Sequence, residues 1–268
     1  MSGQSGAAER SNRDEDEAAY WTPRRARLFN LALQSSDFPL QTIKALGSAL
    51  AGCGTVLDVG AGVGALTVLF AKQDYRVTAI EPNPVMLQEL QANLARNRLD
   101  NVRCFQAAWR AGIVEPHDLI VVANVAPIFA DLLPFLAEAE PLARRAMALV
   151  RNVGPGSEKF YFGELYPQLL GRAYPGREDY LRTVTLLHSI GIYAHIQIID
   201  YHFDQPFEDF FEAVQFWKDA MGLESADQER RLVAFLEGRL ERVGERWIAP
   251  MRRRSAVIWW RTAPPDPA

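Results

Sequence analysis

The segment from Val56 to Gly64, with the sequence VLDVGAGVG, constrains the fold of this chain more than any other. Its first four residues are mostly apolar and rich in valine, which predicts a buried strand. The three alternate glycines let the backbone turn tightly into a helix that begins near Val63, and they let a ligand approach the main chain closely. This strand, turn and helix predict an α/β protein with a ligand site at the turn.

A carboxylate follows the next predicted strand. Residues 76–80 have the sequence RVTAI, which predicts a second buried strand, and Glu81 stands at its carboxyl end. Since parallel strands end at the same edge of a sheet, Glu81 is expected to lie beside the glycine turn. A carboxylate in this position can accept hydrogen bonds from both hydroxyls of a ribose. The two features together predict a site for a nucleoside cofactor.

The glycine spacing alone leaves two cofactor classes open. Gly60, Gly62 and Ala65 also satisfy the G-x-G-x-x-G/A fingerprint of dinucleotide-binding folds. A dinucleotide fold usually begins near its first strand, whereas about fifty residues precede the first strand here. The surroundings of the glycines therefore favour a different class.

The glycine segment, followed by EPNPVML at residues 81–87, resembles the first two motifs of the class I S-adenosylmethionine-dependent methyltransferases. This resemblance implies S-adenosylmethionine as the cofactor. By the same resemblance, Trp109 either stacks on the adenine or caps the sheet, and Met86 either lines the adenine or only packs its own helix. The cofactor-binding residues that the resemblance implies are Asp58, Gly60, Gly62, Gly64, Glu81, Pro82, Met86, Ala107, Ala108, Trp109 and Asn124.

The fold that the resemblance implies is a Rossmann-like, doubly wound α/β sheet of seven strands in the order 3-2-1-4-5-7-6, with the last strand antiparallel. The alternation of strand and helix patterns agrees with a parallel sheet covered on both faces. Strands are predicted at residues 55–60, 75–81, 101–106, 118–124, 145–151, 192–203 and 256–260, and helices at 63–73, 84–98, 127–139, 177–190, 208–221 and 227–246.

The composition divides the chain into one domain, residues 20–263, and two tails. Residues 1–19 contain almost no large apolar side chains and are expected to be disordered, and residues 264–268 form a short second tail. Residues 20–50 predict helices that precede the first strand. Residues 152–176 follow the fifth strand and combine turn formers with aromatic residues, which predicts a mobile lid that sets acceptor specificity.

The net charge, the lengths of the apolar runs and the cysteine content limit the nucleic-acid, membrane and metal interactions that this chain is expected to make. A formal net charge of -4 argues against a long nucleic-acid interface, because such an interface needs positive charges to neutralise phosphates. The arginines at 24–27 and 252–254 are expected to be solvated. No apolar run approaches the roughly 18 residues of a membrane span, and no signal-peptide pattern is present, so a cytoplasmic protein is expected. Cys53 and Cys104 form no ligand cluster, so no metal is expected.

By the same resemblance, Asn124, which ends the fourth predicted strand, is the first candidate for contact with the transferred methyl group. It could contact the methionine moiety or the acceptor, or it could cap a helix that starts at Pro127. Amino-methyltransferases that act on nucleic-acid bases and on glutamine have an Asp/Asn-Pro-Pro-aromatic motif at this place. Here Val125 and Ala126 replace the two prolines, which disfavours those acceptors. Weaker candidates for moving a proton are Tyr161, Glu164, Tyr166 and His202, although His202 is also expected to pair structurally with Asp200.

The predicted function is transfer of a methyl group from S-adenosylmethionine to a small-molecule acceptor. An RNA or protein acceptor is an alternative, with the arginines at 24–27 as the docking surface. A noncatalytic protein that binds S-adenosylmethionine is a third possibility, of a different class. The intact glycine turn together with Glu81 argues against a decayed site.

Overall fold

A computed structural model describes residues 20–110, 112–154, 159–175 and 180–262 of the chain. The tails predicted at residues 1–19 and 264–268 therefore lie outside the described residues. The strands in the described part are β1 (Thr55–Val59), β2 (Arg76–Ile80), β3 (Val102–Phe105), β4 (His117–Ala123), β5 (Ala143–Asn152), β6 (His195–His202), β7 (Gln205–Phe207), β8 (Glu241–Val243), β9 (Arg246–Ala249) and β10 (Arg252–Arg261).

Helices cover both faces of the main sheet. The α-helices in the described part are α1 (Pro23–Gln34), α2 (Phe38–Leu46), α3 (Ala65–Lys72), α4 (Pro84–Asn97), α5 (Ala126–Ala130), α6 (Leu132–Ala139), α7 (Phe162–Leu165), α8 (Tyr180–Ser189), α9 (Phe210–Met221) and α10 (Ala226–Glu237).

The main sheet has seven strands in the order β3-β2-β1-β4-β5-β10-β6. Strands β1 to β5 pair in parallel, whereas β10 lies antiparallel to both β5 and β6. Because β7, β8 and β9 form a separate small sheet, β10 is the seventh strand of the main sheet along the chain. The predicted order 3-2-1-4-5-7-6, with an antiparallel last strand, is confirmed.

The central strands are buried on both faces. Leu119 and Val121 of β4 face one apolar cluster, and Ile120 and Val122 face the other. A strand that is covered on both sides needs apolar residues at every position, which explains why its sequence shows a continuous apolar run. Fully burying each of these side chains stabilises the fold by roughly 1.5–3 kcal/mol.

Helix α1 lies beside the glycine turn. It begins at Pro23 because the Thr22 side chain accepts a hydrogen bond from the backbone N–H of Arg25, and because proline suits the first helical turn. Ala26 is fully buried in a cluster with Val63 of the turn and Met86 of α4. The predicted N-terminal helices are therefore part of the wall around the glycine turn.

The helix predicted at residues 227–246 is wrong beyond Glu237. Residues Glu241–Val243 and Arg246–Ala249 instead form the hairpin β8–β9, and β9 pairs with β7. Gly244 has a φ of 63°, a left-handed conformation that suits a tight hairpin turn and is costly for other residues. The helix predicted at 127–139 is also interrupted, because α5 ends at Ala130 and α6 begins at Leu132.

Two parts of the predicted lid are described: residues 152–154, of which Asn152 ends β5, and residues 159–175, which pack against α9 and α10. The carbonyl of Phe160 accepts a hydrogen bond of 2.7 Å from the indole of the buried Trp217, and the Tyr161 ring stacks on the same indole at 6.0 Å. The Gln228 side chain donates a hydrogen bond to the Leu169 carbonyl. These contacts favour a packed element, and movement of this segment as a lid stays a prediction.

Candidate cofactor and acceptor site

A cavity of about 370 Å³ lies at the carboxyl ends of β1, β2, β4 and β5. This is where ligands bind in open α/β sheets, since the loops diverge at the point where the strand order reverses. The volume falls within the range of small-molecule sites. Ten of the eleven predicted cofactor-binding residues line this cavity, namely Asp58, Gly60, Gly62, Glu81, Pro82, Met86, Ala107, Ala108, Trp109 and Asn124. The eleventh, Gly64, is not part of the lining, although its chain neighbours Val63 and Ala65 are.

The three glycines of the turn have left-handed φ angles, but they are needed for different reasons. A Cβ added to Gly60 would lie 2.3 Å from Val125 Cγ2, and a Cβ added to Gly64 would lie 2.1 Å from Leu90 Cδ1. At Gly62 the nearest atom, Met86 Cε, would be 3.4 Å away, which is an ordinary contact. Gly60 and Gly64 therefore allow the turn to pack, whereas Gly62 has space on its ligand side.

Glu81 is held against the glycine turn by backbone hydrogen bonds. The N–H of Gly62 donates to one carboxylate oxygen at 2.8 Å, and the N–H of Asn83 donates to the other at 2.9 Å. The side chain is 7% exposed and lines the cavity. These bonds fix the orientation of a carboxylate that the sequence predicts to bind ribose hydroxyls.

Asp58 is buried at the end of β1, where it also lines the cavity. The Thr67 hydroxyl donates a 2.6 Å hydrogen bond to its carboxylate. Burial raises the pKa of Asp58 from 3.8 to about 6, and the hydrogen bonds from Thr67 oppose this increase. An ammonium group bound in the cavity would favour the ionised carboxylate.

We expect the free energy of unfolding of the ligand-free protein to fall as the pH rises through about 6. The folded carboxyl of Asp58 keeps its proton to about pH 6, whereas in the unfolded chain it ionises near 3.8. The resulting stabilisation is fully present below the unfolded pKa and is lost above the folded one, a change on the order of 3 kcal/mol. Urea unfolding between about pH 4 and about pH 7 measures this loss. The Asp58→Asn variant should show a flatter pH profile, and equal profiles would contradict the assignment.

One wall of the cavity contains the residues that are expected to face the adenine. Ala107 and Ala108 follow β3, and their small side chains allow close approach. Trp109 lines the cavity, packs edge-on against Phe135 at 5.2 Å, and donates a 3.2 Å hydrogen bond to Glu138. Its indole is therefore anchored at the sheet edge and also forms part of the wall, so the two predicted roles are compatible. Met86 is 4% exposed and likewise both packs and lines the cavity.

Asn124 lines the cavity at the end of β4 and has a φ of 56°. Asparagine tolerates this left-handed conformation better than most residues do. The predicted helix cap is wrong, because α5 begins at Ala126 and the residue at its N-cap is Val125, without a side-chain hydrogen bond. Asn124 therefore lines the cavity and does not cap α5.

The four weaker candidates for proton transfer lie away from the described lining of the cavity. The Tyr161 hydroxyl donates to the Pro250 carbonyl at 2.8 Å, and burial raises the Tyr161 pKa to about 12. Glu164 pairs with Arg239, and the Tyr166 ring packs on Tyr174 at 4.9 Å. The geometry does not bring them together with the cofactor-side residues.

His202 is exposed, and its backbone N–H donates a 2.8 Å hydrogen bond to Asp37. The expected pairing of His202 with Asp200 is wrong, because Asp200 accepts a 2.7 Å hydrogen bond from Arg254. Successive residues of a strand such as β6 point to opposite faces, and those at 200 and 202 point away from the core.

The sequence reasoning missed a second group of lining residues. They come from the N-terminal helices, from β6 with the residue after it, and from β10, and they are Trp21, Phe29, Phe38, Tyr201, Phe203 and Arg253. The strand predicted at 256–260 does not include Arg253, whereas β10 begins at Arg252, so that Arg252 and Arg254 are exposed and Arg253 is buried. The expectation that all three arginines are solvated is therefore wrong for Arg253.

The basic residues at 24–27 are also engaged within the molecule. Arg24 pairs with Asp219 at 3.0 Å, and Arg27 pairs with Glu208 and Glu212 at 2.5 and 2.6 Å. These acidic residues lie in or next to α9. Much of the positive charge of the patch is therefore balanced locally.

Two absences hold for the part of the chain that the structure describes. No helix there is long and apolar enough to cross a membrane. Within the same residues, no group of three His, Cys, Asp or Glu side chains is arranged to hold a metal ion.

Comparison with known proteins gives a match at the glycine turn. Residues 56–145 match the family described as a methyltransferase domain. A ribosomal protein L11 methyltransferase from Acetivibrio thermocellus is 33% identical over 82 residues, which is 30% of this chain and 26% of that protein. A protein of Methanosphaera stadtmanae named "Probable ribosomal RNA small subunit methyltransferase A" is 38% identical over 48 residues, 18% of each chain. The chain thus spans about a quarter or less of the length of these curated relatives.

The fold is also found among solved structures. A crystal structure of a Bacillus halodurans protein that has been assigned as a methyltransferase aligns with a TM-score of 0.51 and 19% sequence identity. The alignment covers 82% of this chain and 98% of that one. At this identity the likeness concerns the fold alone. Residues 56–145 thus match a methyltransferase domain, and the sheet order and the glycine turn with Glu81 are those that the resemblance to the class I S-adenosylmethionine-dependent methyltransferases implies.

Proposed function

We propose that the protein transfers a methyl group from S-adenosylmethionine to a small-molecule acceptor. The observation that carries the proposal is one continuous cavity, in which the glycine turn and Glu81 adjoin a group of aromatic side chains. We call this group the aromatic compartment, and it consists of Trp21, Phe29, Phe38, Tyr201 and Phe203. Glu81 would hold the ribose hydroxyls of the cofactor, and Asp58 would attract the ammonium group of its methionine moiety. Ala107, Ala108 and Trp109 would hold the adenine.

The cofactor supplies a methyl group already activated by its positively charged sulfur. The protein therefore has to position the acceptor in line with the methyl group and to exclude water. Asn124 ends β4 beside the cofactor residues and is the polar side chain proposed to orient the acceptor or the methionine moiety. The apolar side chains of Phe29 and Leu33 line the same cavity and keep water away from it.

Two observations favour a small acceptor over RNA or protein. Trp21, Phe29 and Leu33, from α1 and the residues before it, form part of the wall and thus enclose the acceptor side of the cavity. The arginines that would dock an anionic polymer are paired with acidic residues beside α9. The two relatives are named for a ribosomal protein and for ribosomal RNA, and they match this chain over short segments. Methylation of RNA or of a protein is therefore the result that would contradict a small-molecule acceptor.

Cofactor carrying a labelled methyl group provides this test. The protein is incubated with it and, separately, with a metabolite extract, with total RNA or with ribosomal proteins. We expect label to appear in the metabolite fraction. The Gly62→Val variant, whose side chain would enter the ligand side of the turn, is the control and should transfer none. Label in RNA or protein would contradict a small acceptor, and cofactor binding without transfer to any fraction would favour the noncatalytic alternative.

A further inference from the structure

Five aromatic side chains line the side of the cavity that the N-terminal segment and the end of β6 form. They are contributed by α1, α2, the end of β6 and the residues next to them, and they are Trp21, Phe29, Phe38, Tyr201 and Phe203. The rings form two contacting groups. The centroid distances are 5.1 Å for Trp21 and Phe29 and 6.0 Å for Phe29 and Phe203 in one group, and 4.9 Å for Phe38 and Tyr201 in the other. Aromatic walls of this kind favour a flat, apolar ligand, because rings pack edge to face or offset against one another.

Arg253 places a positive charge in this aromatic wall. Arg253 is only 5% exposed, and its guanidinium carbon lies 4.9 Å from the centre of the Phe203 ring. It also donates a 2.9 Å hydrogen bond to the Asn152 side chain, and both residues line the cavity. The ring and the amide hold the guanidinium in a defined position. A planar guanidinium matches a carboxylate with two parallel hydrogen bonds.

Charge is separated along the cavity. Asp58 and Glu81 are on the cofactor side, whereas Arg253 is on the aromatic side. An anionic ligand would be repelled by the two carboxylates and attracted by the guanidinium. It would therefore bind with its charged end at Arg253 and its remaining part directed back toward the cofactor side and Asn124.

We propose that the methyl acceptor is a flat, apolar molecule that carries a carboxylate, and that Arg253 binds this carboxylate. The inference rests on the proposed function, since it names the substrate class of the same cavity. It makes Arg253 a specificity-determining residue: the carboxylate anchors one end of the acceptor and leaves the other end near the methyl group.

Matched pairs of aromatic acids and amides test this inference without knowledge of the true acceptor. Benzoate is compared with benzamide, and naphthoate with naphthamide, by ligand-detected NMR titration of the protein saturated with S-adenosylhomocysteine. Calorimetry of S-adenosylhomocysteine alone is measured first. We expect the acids to bind about tenfold to a hundredfold more tightly than the amides, as charge-assisted hydrogen bonds predict.

Three variants test whether Arg253 causes the preference for acids over amides. Arg253→Met keeps an unbranched apolar stem against Phe203 but removes the charge, and Asn152→Asp keeps Arg253 but places a carboxylate beside it. Both should lose the preference for acids while keeping the affinity for S-adenosylhomocysteine. Arg252→Met removes an exposed charge from the same strand and should behave as the wild type.

Each outcome decides the matter. Equal binding of acids and amides, or binding of neither, with S-adenosylhomocysteine bound normally, would overturn this inference and leave the proposed function standing. An acid preference that survives in both Arg253→Met and Asn152→Asp would overturn it as well. Failure to bind S-adenosylhomocysteine would overturn the proposed function, and the inference with it.

Discussion

The Glu81→Ala variant is expected to bind S-adenosylhomocysteine at least about tenfold more weakly than the wild type, because charge-assisted hydrogen bonds contribute roughly 1.5–3 kcal/mol. The variant loses the carboxylate proposed to hold the ribose hydroxyls. It also removes the acceptor for the N–H groups of Gly62 and Asn83, which orient the turn. Isothermal titration calorimetry measures the effect.

Glu89→Ala is the matched control for this experiment. Glu89 belongs to α4, accepts a hydrogen bond of 2.5 Å from Asn30, and lies outside the described lining of the cavity. The control removes the same charge from the neighbourhood of Glu81 and should leave the affinity nearly unchanged. Equal losses in the two variants would show that general electrostatics, rather than contact with the ribose, determines the affinity.

Gly64→Ala is expected to lower the free energy of unfolding by about 2–5 kcal/mol, from a left-handed backbone of about 1–2 kcal/mol together with overpacking of about 1–3 kcal/mol. Its Cβ would lie 2.1 Å from Cδ1 of Leu90, which is fully buried and cannot move aside freely. Urea unfolding of the ligand-free protein measures the loss.

Gly62→Ala separates the backbone cost from the packing cost. Gly62 has a similar left-handed conformation, but its nearest atom would be 3.4 Å from an added Cβ. The expected loss is therefore about 1–2 kcal/mol, the backbone contribution alone. If Gly64→Ala were as stable as Gly62→Ala, the crowding at Leu90 would not be a determinant of stability.

The core of the fold could be predicted because its sequence pattern is local and unambiguous. Strands β1 and β4 are short apolar runs bounded by turn residues, and burial on both faces leaves few alternatives. The same holds for the glycine turn and for Glu81, whose positions follow from the ends of neighbouring strands. These elements also determine the cofactor side of the cavity.

The hairpin β8–β9 could not be predicted by the same reasoning. The residues that follow Glu237 continue the mixture of charged and apolar side chains found in α10, so the local pattern predicts that the helix continues through Gly244. Tertiary pairing of β9 with β7 decides the structure there, and those strands are about forty residues apart in sequence. Local periodicity contains no information about this pairing.

The aromatic side of the cavity depended on contacts between distant segments. Phe29 meets Phe203, and Phe38 meets Tyr201, only because α1 and α2 pack beside the end of β6. The sequence alone predicts that Arg253 belongs to a solvated cluster with Arg252 and Arg254. Arg253 is buried because β10 pairs with both β5 and β6, and this pairing cannot be read from the local sequence. Residues near the acceptor are thus harder to predict than residues near the cofactor.

The position of the cofactor can be determined from a crystal structure of the complex with S-adenosylhomocysteine. We expect both ribose hydroxyls to lie within hydrogen-bond distance of the Glu81 carboxylate. We also expect the adenine to lie against Ala107, Ala108 and Trp109, and the sulfur to face Asn124 and the aromatic compartment. A ligand bound outside this cavity, or bound within it with its ribose away from Glu81, would contradict the proposed cofactor site.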